Sequence, residues 1–175
     1  MELEELEGMI RKVPDFPVPG ILFFDILPLL KVPNNFATLT KELSMFANEI
    51  DVVVGIEARG LILGSAVAQY LGKGFVPLRK KGKLPGATLE ESYGLEYGKS
   101  ILEIQEGVLN SSDRVLLIDD VLATGGTLVA GVNLIERCGS IVESVAVALE
   151  IKELKGRSNF LETFPYIPLN TLLRV

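Results

Sequence analysis

The sequence of 175 residues contains no histidine and only one cysteine. Without histidine, neither a Ser-His-Asp triad nor a Cys-His pair can form, and every metal site that uses imidazole is excluded. Cys138 has no second cysteine to pair with, so it forms no internal disulfide and is typical of a reducing compartment. Proton transfer near neutral pH must therefore use aspartate, glutamate, lysine, tyrosine, water or the substrate itself.

Long apolar runs and an excess of positive charge are missing as well. No uninterrupted apolar segment reaches the ~20 residues that span a bilayer, and the acidic start MELEELEGMIRKVPDF is unlike a signal peptide. The net charge of −6 gives no overall attraction for nucleic acid. We therefore expect a cytoplasmic protein that binds neither membranes nor nucleic acid.

Apolar strands alternate with helical segments along most of the chain. This alternation predicts one α/β domain over residues 1–175, with a mostly parallel, twisted sheet flanked by helices. Residues 2–13 and 34–50 show helical spacing, while the prolines within residues 14–28 predict an irregular segment. Buried strands are expected at 51–57, 114–119 and 141–151, and helices at 59–72 and 125–139.

The segment VLLIDDVLATGGT, residues 115–127, carries the strongest functional signal. Asp119 and Asp120 stand at the carboxyl end of an aliphatic strand, which is where parallel sheets bind their ligands. In the following turn, Gly125 and Gly126 let backbone N–H groups surround a phosphate. Paired carboxylates repel further phosphate but accept hydrogen bonds from sugar hydroxyls. The segment therefore predicts a ligand with one phosphate and one ribose, whose phosphate lies in the turn formed by Ala123, Thr124, Gly125, Gly126 and Thr127.

Basic residues are concentrated in the middle of this acidic chain. Residues 58–89 contain no aspartate or glutamate, although the chain has 23 of them. This local excess of positive charge suits a ligand with several phosphate charges, while a solvated basic face is the alternative. The basic residues are Arg59, Lys73, Arg79, Lys80, Lys81 and Lys83.

The functional interpretation of residues 115–127 also has an alternative, in which Thr124 only caps a helix and the two aspartates are solvated.

The segment VLLIDDVLATGGT resembles the phosphoribosyl-pyrophosphate (PRPP) signature of the type I phosphoribosyltransferases. The segments PDFPVPGILFFDI, VVVGIEARG, RKKGKLPG and SYGLEYGKS occur in the order typical of the adenine branch of that family, so the resemblance covers almost the whole chain. It implies a type I phosphoribosyltransferase-like core with a small N-terminal hood, formed roughly by residues 1–35. It also implies a homodimer that uses Mg²⁺ to transfer the 5-phosphoribosyl group of PRPP to adenine, yielding AMP and pyrophosphate.

The resemblance also assigns roles in binding PRPP. Residues 123–127 would hold the 5-phosphate, and Asp119 and Asp120 the ribose hydroxyls. Arg59 would meet the pyrophosphate and take part in catalysis. We expect Mg²⁺ to bind through substrate oxygens and water, because the sequence shows no cluster of protein ligands. Further contacts with pyrophosphate, often made in the neighbouring subunit, are implied for Arg79 and Lys83.

The base is expected to contact the backbone of Leu22 and Phe24. Phe24 stands where the family usually has arginine, and Leu27 where a small polar residue is common. If the missing arginine matters, hypoxanthine or another purine replaces adenine as the substrate. A protein that binds PRPP only as a regulatory signal is the alternative from another functional class.

A mobile loop is expected over roughly residues 81–100, where glycines provide hinges and Tyr93 and Tyr97 cover the site. Within it, Glu96 matches the acidic residue that manages a proton of the purine ring, and spacing alone does not exclude Glu90 or Glu91. The family also tends to have a strained, cis peptide bond that does not precede proline before the arginine at the strand end, here between residues 57 and 58.

Overall fold

The computed structural model describes residues 3–95 and 98–175, which form a seven-stranded sheet, a separate two-stranded sheet and the helices around them. In this part of the chain, no helix combines the length and the apolarity needed to cross a bilayer. In chain order the elements are α1 (Leu3–Glu7), β1 (Arg11–Pro14), β2 (Leu22–Asp25), α2 (Leu27–Lys31), α3 (Pro33–Ser44), β3 (Val52–Ile56), α4 (Arg59–Leu71), β4 (Gly74–Lys80), β5 (Thr88–Leu95), β6 (Gly98–Gln105), β7 (Arg114–Leu122), α5 (Gly126–Arg137), β8 (Ile141–Glu150), a 3₁₀ turn (Lys152–Leu154), α6 (Gly156–Thr163) and β9 (Leu169–Arg174).

The large sheet has the strand order β5-β6-β4-β3-β7-β8-β9. Its five strands β4, β3, β7, β8 and β9 are mutually parallel, while the hairpin β5–β6 adds two antiparallel strands at one edge. The predicted α/β fold with a mostly parallel sheet is therefore confirmed. Strands β3 and β7 lie in the middle, so their carboxyl ends meet at the same edge of the sheet.

Burial on both faces explains why the central strands are aliphatic throughout. Val115 and Leu117 of β7 belong to one apolar cluster, together with residues of α5 and α6. Leu116 and Ile118 alternate with them and belong to the other cluster, together with residues of α3 and α4. Side chains of a strand alternate between faces, so a strand covered by helices on both sides needs apolar residues at every position.

The N-terminal region differs from the prediction made for it. The helix expected over residues 2–13 is wrong, because α1 ends at Glu7 and residues 11–14 form strand β1 instead. Strand β1 pairs with β2 in antiparallel fashion, so the segment 14–28 is not irregular throughout either. Leu6 and Ile10 pack in the core cluster on the α3 and α4 side of the sheet, and the backbone of residues 11–14 pairs with β2. This small sheet lies within residues 1–35, the range predicted for the hood, and its strands are referred to by that name.

Most of the segment expected as a loop over residues 81–100 belongs to strands β5 and β6. Leu89 and Tyr93 of β5 pack against the core cluster on the α5 side of the sheet. This stretch of the sequence is polar and rich in glycine, but pairing with β6 and packing on α5 give it the structure of a strand. The mobility of the segment stays a prediction.

Candidate active site

A cavity of about 610 Å³ opens at the carboxyl ends of β3 and β7. Its walls come from the hood strand β2, the start of α4, the end of β7 and the turn that leads into α5. Parallel α/β sheets bind ligands at this position, because the strand ends and the following helix N-termini converge there. The sequence-predicted residues that line the cavity are Leu22, Phe24, Arg59, Lys80, Tyr93, Asp119, Asp120, Ala123 and Thr127. Five other predicted residues among those described do not line it, namely Arg79, Lys83, Thr124, Gly125 and Gly126.

The turn between β7 and α5 requires glycine at position 125 and is held by α6. Gly125 adopts a φ of +88°, and a Cβ atom at this residue would lie 2.6 Å from the carbonyl oxygen of Gly156. Only glycine fits this position. Asn159 Nδ2 donates a hydrogen bond to the Thr124 carbonyl oxygen at 3.0 Å, which fixes the turn from the α6 side.

Helix α5 begins after Gly125, and among the residues that the structure describes no side chain makes a cap hydrogen bond there. The alternative in which Thr124 merely caps the helix is therefore wrong. Helix N-termini leave N–H groups without partners in the helix, and these groups carry a partial positive charge. Ala123 and Thr127 of this turn lie on the cavity wall, a position compatible with the predicted phosphate site.

The two aspartates at the end of β7 are buried, each only 6% exposed, so they are not solvated as the alternative required. The backbone N–H of Asp120 donates to Asp119 Oδ1 at 2.8 Å. Burial, and then the charge of Asp120, raise the pKa of Asp119 well above its ordinary value. Burial also raises the pKa of Asp120, although the positive charge of Arg59 counteracts this.

One oxygen of this pair, Asp120 Oδ2, lacks a hydrogen bond within the described residues. Arg59 Nε lies 2.6 Å from Asp120 Oδ2, but this buried oxygen accepts no hydrogen bond of good geometry within the described residues. A buried polar atom without such a bond is costly, and a hydroxyl group of a ligand would satisfy it. The arrangement therefore suits a sugar diol.

Arg59, the first residue of α4, connects the hood to the sheet. Its guanidinium group lies over the ring of Phe23, 4.7 Å from the ring centroid, and Nη1 donates to the carbonyl oxygen of Phe24 at 3.3 Å. Gly60 permits this placement, since a Cβ atom there would lie 2.9 Å from the carbonyl oxygen of Ile118 in β7. The close approach of α4 to β7 brings the guanidinium group to the cavity wall.

Glu57 is a residue of the site that sequence reasoning missed. It lines the cavity, and its carboxylate binds Arg79 Nε at 3.0 Å and Lys83 Nζ at 2.7 Å. Burial alone would raise the pKa of Glu57, but hydrogen bonds from Arg79 and Lys83 outweigh it and lower the pKa from 4.5 to about 2. The two predicted pyrophosphate contacts are thus held together at one carboxylate. The available signal was the position of Glu57 directly before the stretch without acidic residues.

We expect this carboxylate to make the stability of the fold sensitive to acid. A pKa lowered in the folded state stabilises the protein above pH 4.5, and this contribution is lost as the pH falls towards 2. The difference of pKa corresponds to about 3 kcal/mol at most. Since Lys83 is 49% exposed, screening by solvent reduces the expected contribution to about 1–3 kcal/mol.

Urea unfolding at several pH values measures this contribution. The free energy of unfolding should be lower for Glu57→Gln than for the unmodified chain near neutral pH, and the difference should vanish near pH 2. Glu162→Gln, at an exposed position of α6, is the matched control and should show no such convergence. A difference that stays constant from neutral to acid pH would contradict the assignment.

The remaining predicted residues have different outcomes. Glu96 and Tyr97 lie outside the described residues, so the proton-transfer role of Glu96 stays a prediction. Tyr93 lines the cavity, as a covering residue should. The peptide bond between residues 57 and 58 is cis, in agreement with the unusual bond that the resemblance implied.

Comparison with known proteins agrees with this geometry. Residues 27–163 match the family described as "Phosphoribosyl transferase domain". The chain is 48% identical to the adenine phosphoribosyltransferase of Nocardioides sp., over 99% of this chain and 95% of that protein. The solved adenine phosphoribosyltransferase of Rhodothermus marinus is 46% identical with a TM-score of 0.92, over 99% of this chain and 98% of that one.

A further solved relative contains ligands. The adenine phosphoribosyltransferase of Saccharomyces cerevisiae, complexed with an iminoaltritol bisphosphate and adenine, is 36% identical with a TM-score of 0.89, over 98% of each chain. Identity at this level over nearly the full length, together with the same fold, shows the family. The chain belongs to the adenine phosphoribosyltransferases within the phosphoribosyltransferase family.

Proposed function

We propose that the cavity at the ends of β3 and β7 binds PRPP and adenine next to each other. As an adenine phosphoribosyltransferase, the chain transfers the 5-phosphoribosyl group of PRPP to adenine and releases AMP and pyrophosphate. The observation that carries the assignment of the site is the buried Asp119–Asp120 pair beside the uncapped glycine turn, in one cavity with strand β2. The yeast relative, which is complexed with an iminoaltritol bisphosphate and adenine, supports this choice of ligands.

The turn of residues 123–127 would hold the 5-phosphate and so fix one end of PRPP. Asp119 and Asp120 would then accept hydrogen bonds from the ribose hydroxyls, and Asp120 Oδ2 would gain the hydrogen bond that it lacks. Binding of both the 5-phosphate and the ribose hydroxyls holds the anomeric carbon in a fixed position relative to the base. Such positioning replaces a collision between two free molecules by a reaction within one complex.

The reaction breaks the bond between the anomeric carbon and pyrophosphate and forms the bond between that carbon and the base nitrogen. Positive charge develops on the sugar, and negative charge leaves with the pyrophosphate. Buried carboxylates on the ribose side favour the former, and Arg59 favours the latter, because preorganised charges act strongly in a site shielded from water. We assign Arg79 and Lys83 to the same leaving group, from this subunit or its partner.

Magnesium fits this site as an ion that arrives with PRPP. In residues 3–95 and 98–175, no three acidic or cysteine side chains are grouped as metal ligands. Asp119 and Asp120 are the carboxylates that border the expected ribose position. Mg²⁺ prefers oxygen ligands and keeps several waters, so it would be held mainly by PRPP, and it supplies positive charge to the leaving pyrophosphate.

The base would lie between the hood strand β2 and the rest of the cavity wall, in contact with the backbone of Leu22 and Phe24. The Phe24 side chain is buried, only 8% exposed, and its carbonyl oxygen is engaged by Arg59. Reading of the base by backbone groups does not require the arginine that Phe24 replaces. We therefore propose that the protein is specific for adenine although Phe24 replaces the arginine usual in the family. We further propose that Glu96 accepts the proton that the base loses.

We also propose that the protein is a cytoplasmic homodimer. The basic side chains of Arg79 and Lys83 are 31% and 49% exposed, so they are available to a neighbouring subunit. Large apolar side chains at the surface, among them Leu27 and Tyr70, offer area that a second copy would cover.

Nucleotide formation from PRPP and Mg²⁺ with adenine, hypoxanthine, guanine or xanthine tests the function. We expect AMP from adenine, and a kcat/KM for each oxopurine that is lower by at least about 10²-fold. A site that accepts a hydrogen bond from the exocyclic amine of adenine leaves its acceptor unpaired when an oxopurine places a carbonyl group there. Turnover of an oxopurine alone would contradict the adenine assignment. Binding of PRPP without turnover of any base would favour the regulatory alternative.

A further inference from the structure

Strand β5 is attached to helix α5 by side chains that belong to neither the phosphate turn nor the ribose site. Glu91 Oε1 accepts a hydrogen bond from Asn133 Nδ2 at 3.0 Å, and Glu91 Oε2 lies 3.1 Å from Arg137 Nη1. The same Arg137 atom donates to the carbonyl oxygen of Glu90 at 2.7 Å. These contacts tie one carboxylate and one backbone carbonyl of β5 to two residues that are one helical turn apart.

The attachment has consequences at the other end of α5, where the phosphate turn begins. A Cβ atom on Gly126 would lie 2.9 Å from the carbonyl oxygen of Gly94, so β5 passes directly over the start of the helix. From Glu91 to Gly94, the strand advances about 10 Å, and from Asn133 to Gly126 the helix spans about the same length. Contacts at both ends therefore show β5 running along α5 and reaching its N-terminus.

Strand β5 also contributes to the cavity itself. Tyr93 lines the cavity and packs against the core, one residue before Gly94. The contacts at Glu91 thus set where Tyr93 and the Gly94 carbonyl lie relative to the phosphate turn. An exposed ion pair alone contributes little to the stability of an attachment. Glu91 is only 27% exposed, however, and each of its two oxygens contacts a different donor, which strengthens the attachment of β5.

We propose that Glu91, Asn133 and Arg137 are positioning residues, which hold β5 on α5 so that Tyr93 and Gly94 complete the PRPP site at the turn of residues 123–127. The proposal rests on the function proposed above and adds residues to it that do not touch the substrate. Their loss should weaken PRPP binding, since β5 then spends less time over the turn. The chemical step at saturating PRPP should be little affected, because bound PRPP itself then holds β5 over the turn.

The variants Glu91→Gln, Arg137→Gln and their combination test this proposal. Glu90→Gln is the matched control, because the neighbouring Glu90 does not line the cavity and its carboxylate binds Lys81 at 2.7 Å instead of α5, which leaves it no part in proton transfer. We expect Glu91→Gln to raise both the KM and the calorimetric Kd for PRPP about three- to ten-fold, as the loss of one or two hydrogen bonds predicts. The kcat and the KM for adenine should change less than about two-fold.

Two further results discriminate positioning from a general loss of structure. The double variant should be no weaker than Arg137→Gln by more than about two-fold, because the ion pair between Glu91 and Arg137 is already broken in Arg137→Gln. Amide hydrogen exchange of residues 88–95 without ligand should be faster in Glu91→Gln than in Glu90→Gln.

The proposal is overturned if the Kd for PRPP rises less than three-fold in Glu91→Gln, if Glu90→Gln has the same effect, or if exchange in β5 is unchanged. Calorimetry and hydrogen exchange need no turnover. A protein that forms no AMP would therefore refute the proposed function, whereas these two measurements would still decide the role of Glu91.

Discussion

Gly125→Ala is expected to lower kcat/KM for PRPP by at least about 100-fold. The added Cβ atom would lie 2.6 Å from the carbonyl oxygen of Gly156, at a φ of +88° that alanine adopts only under strain. Either the turn or the start of α6 has to move, and the N–H groups of the turn then lose their positions around the phosphate. Displacements of about 1 Å in such a site cost about 10²-fold in rate.

Gly107→Ala separates the backbone strain from the loss of the site. Gly107 also has a positive φ, +72°, but a Cβ atom there would meet nothing within 4 Å. This control should lower the free energy of unfolding by about 1 kcal/mol and leave kcat/KM within about two-fold. Steady-state kinetics and urea unfolding of both variants check the expectation. Equal losses of activity in the two variants would contradict the role given to the turn.

Arg59→Gln is expected to lower kcat by about 10²–10³-fold, the usual loss when one preorganised group that stabilises transition-state charge is removed. The substitution should also lower the free energy of unfolding, because it leaves the buried Asp120 carboxylate without its positive partner. Arg59→Lys should restore little activity, since an ammonium group cannot contact Asp120 and the Phe24 carbonyl oxygen in the same way.

A second substitution distinguishes these two effects of Arg59. In Arg59→Gln/Asp120→Asn the buried charge is gone, so stability should recover relative to Arg59→Gln while kcat stays low. Arg174→Gln is the control, because Arg174 is 55% exposed in its ion pair with Glu150 and should matter to neither property. Recovery of kcat in the double variant would show that Arg59 acts only by neutralising Asp120.

The central part of the fold could be predicted because its signal is local. Strands β3, β7 and β8 are buried on both faces, so each is aliphatic nearly throughout, and the helices after β3 and β7 follow directly. The ends of these strands then give the place of Arg59, Asp119 and Asp120 without any knowledge of tertiary contacts. The glycines of the turn leave a similarly local trace in the sequence.

What could not be predicted depends on partners that are distant in the sequence. Strand β1 exists because β2 pairs with it, and the hairpin β5–β6 is ordered by packing on α5. Glu57 escaped notice because its partners Arg79 and Lys83 follow 22 and 26 residues later. The contact of Glu91 with Arg137 spans 46 residues, and no spacing rule indicates it. Hydrophobic periodicity identifies elements, whereas polar contacts between elements require the assembled structure.

A crystal structure of the protein with AMP tests the account most directly. We predict that the phosphate oxygens lie about 3 Å from backbone nitrogens of the turn of residues 123–127, with the ribose hydroxyls on Asp119 and Asp120 and the base against β2. An AMP molecule with its base in the turn, or bound outside the cavity at the ends of β3 and β7, would contradict it.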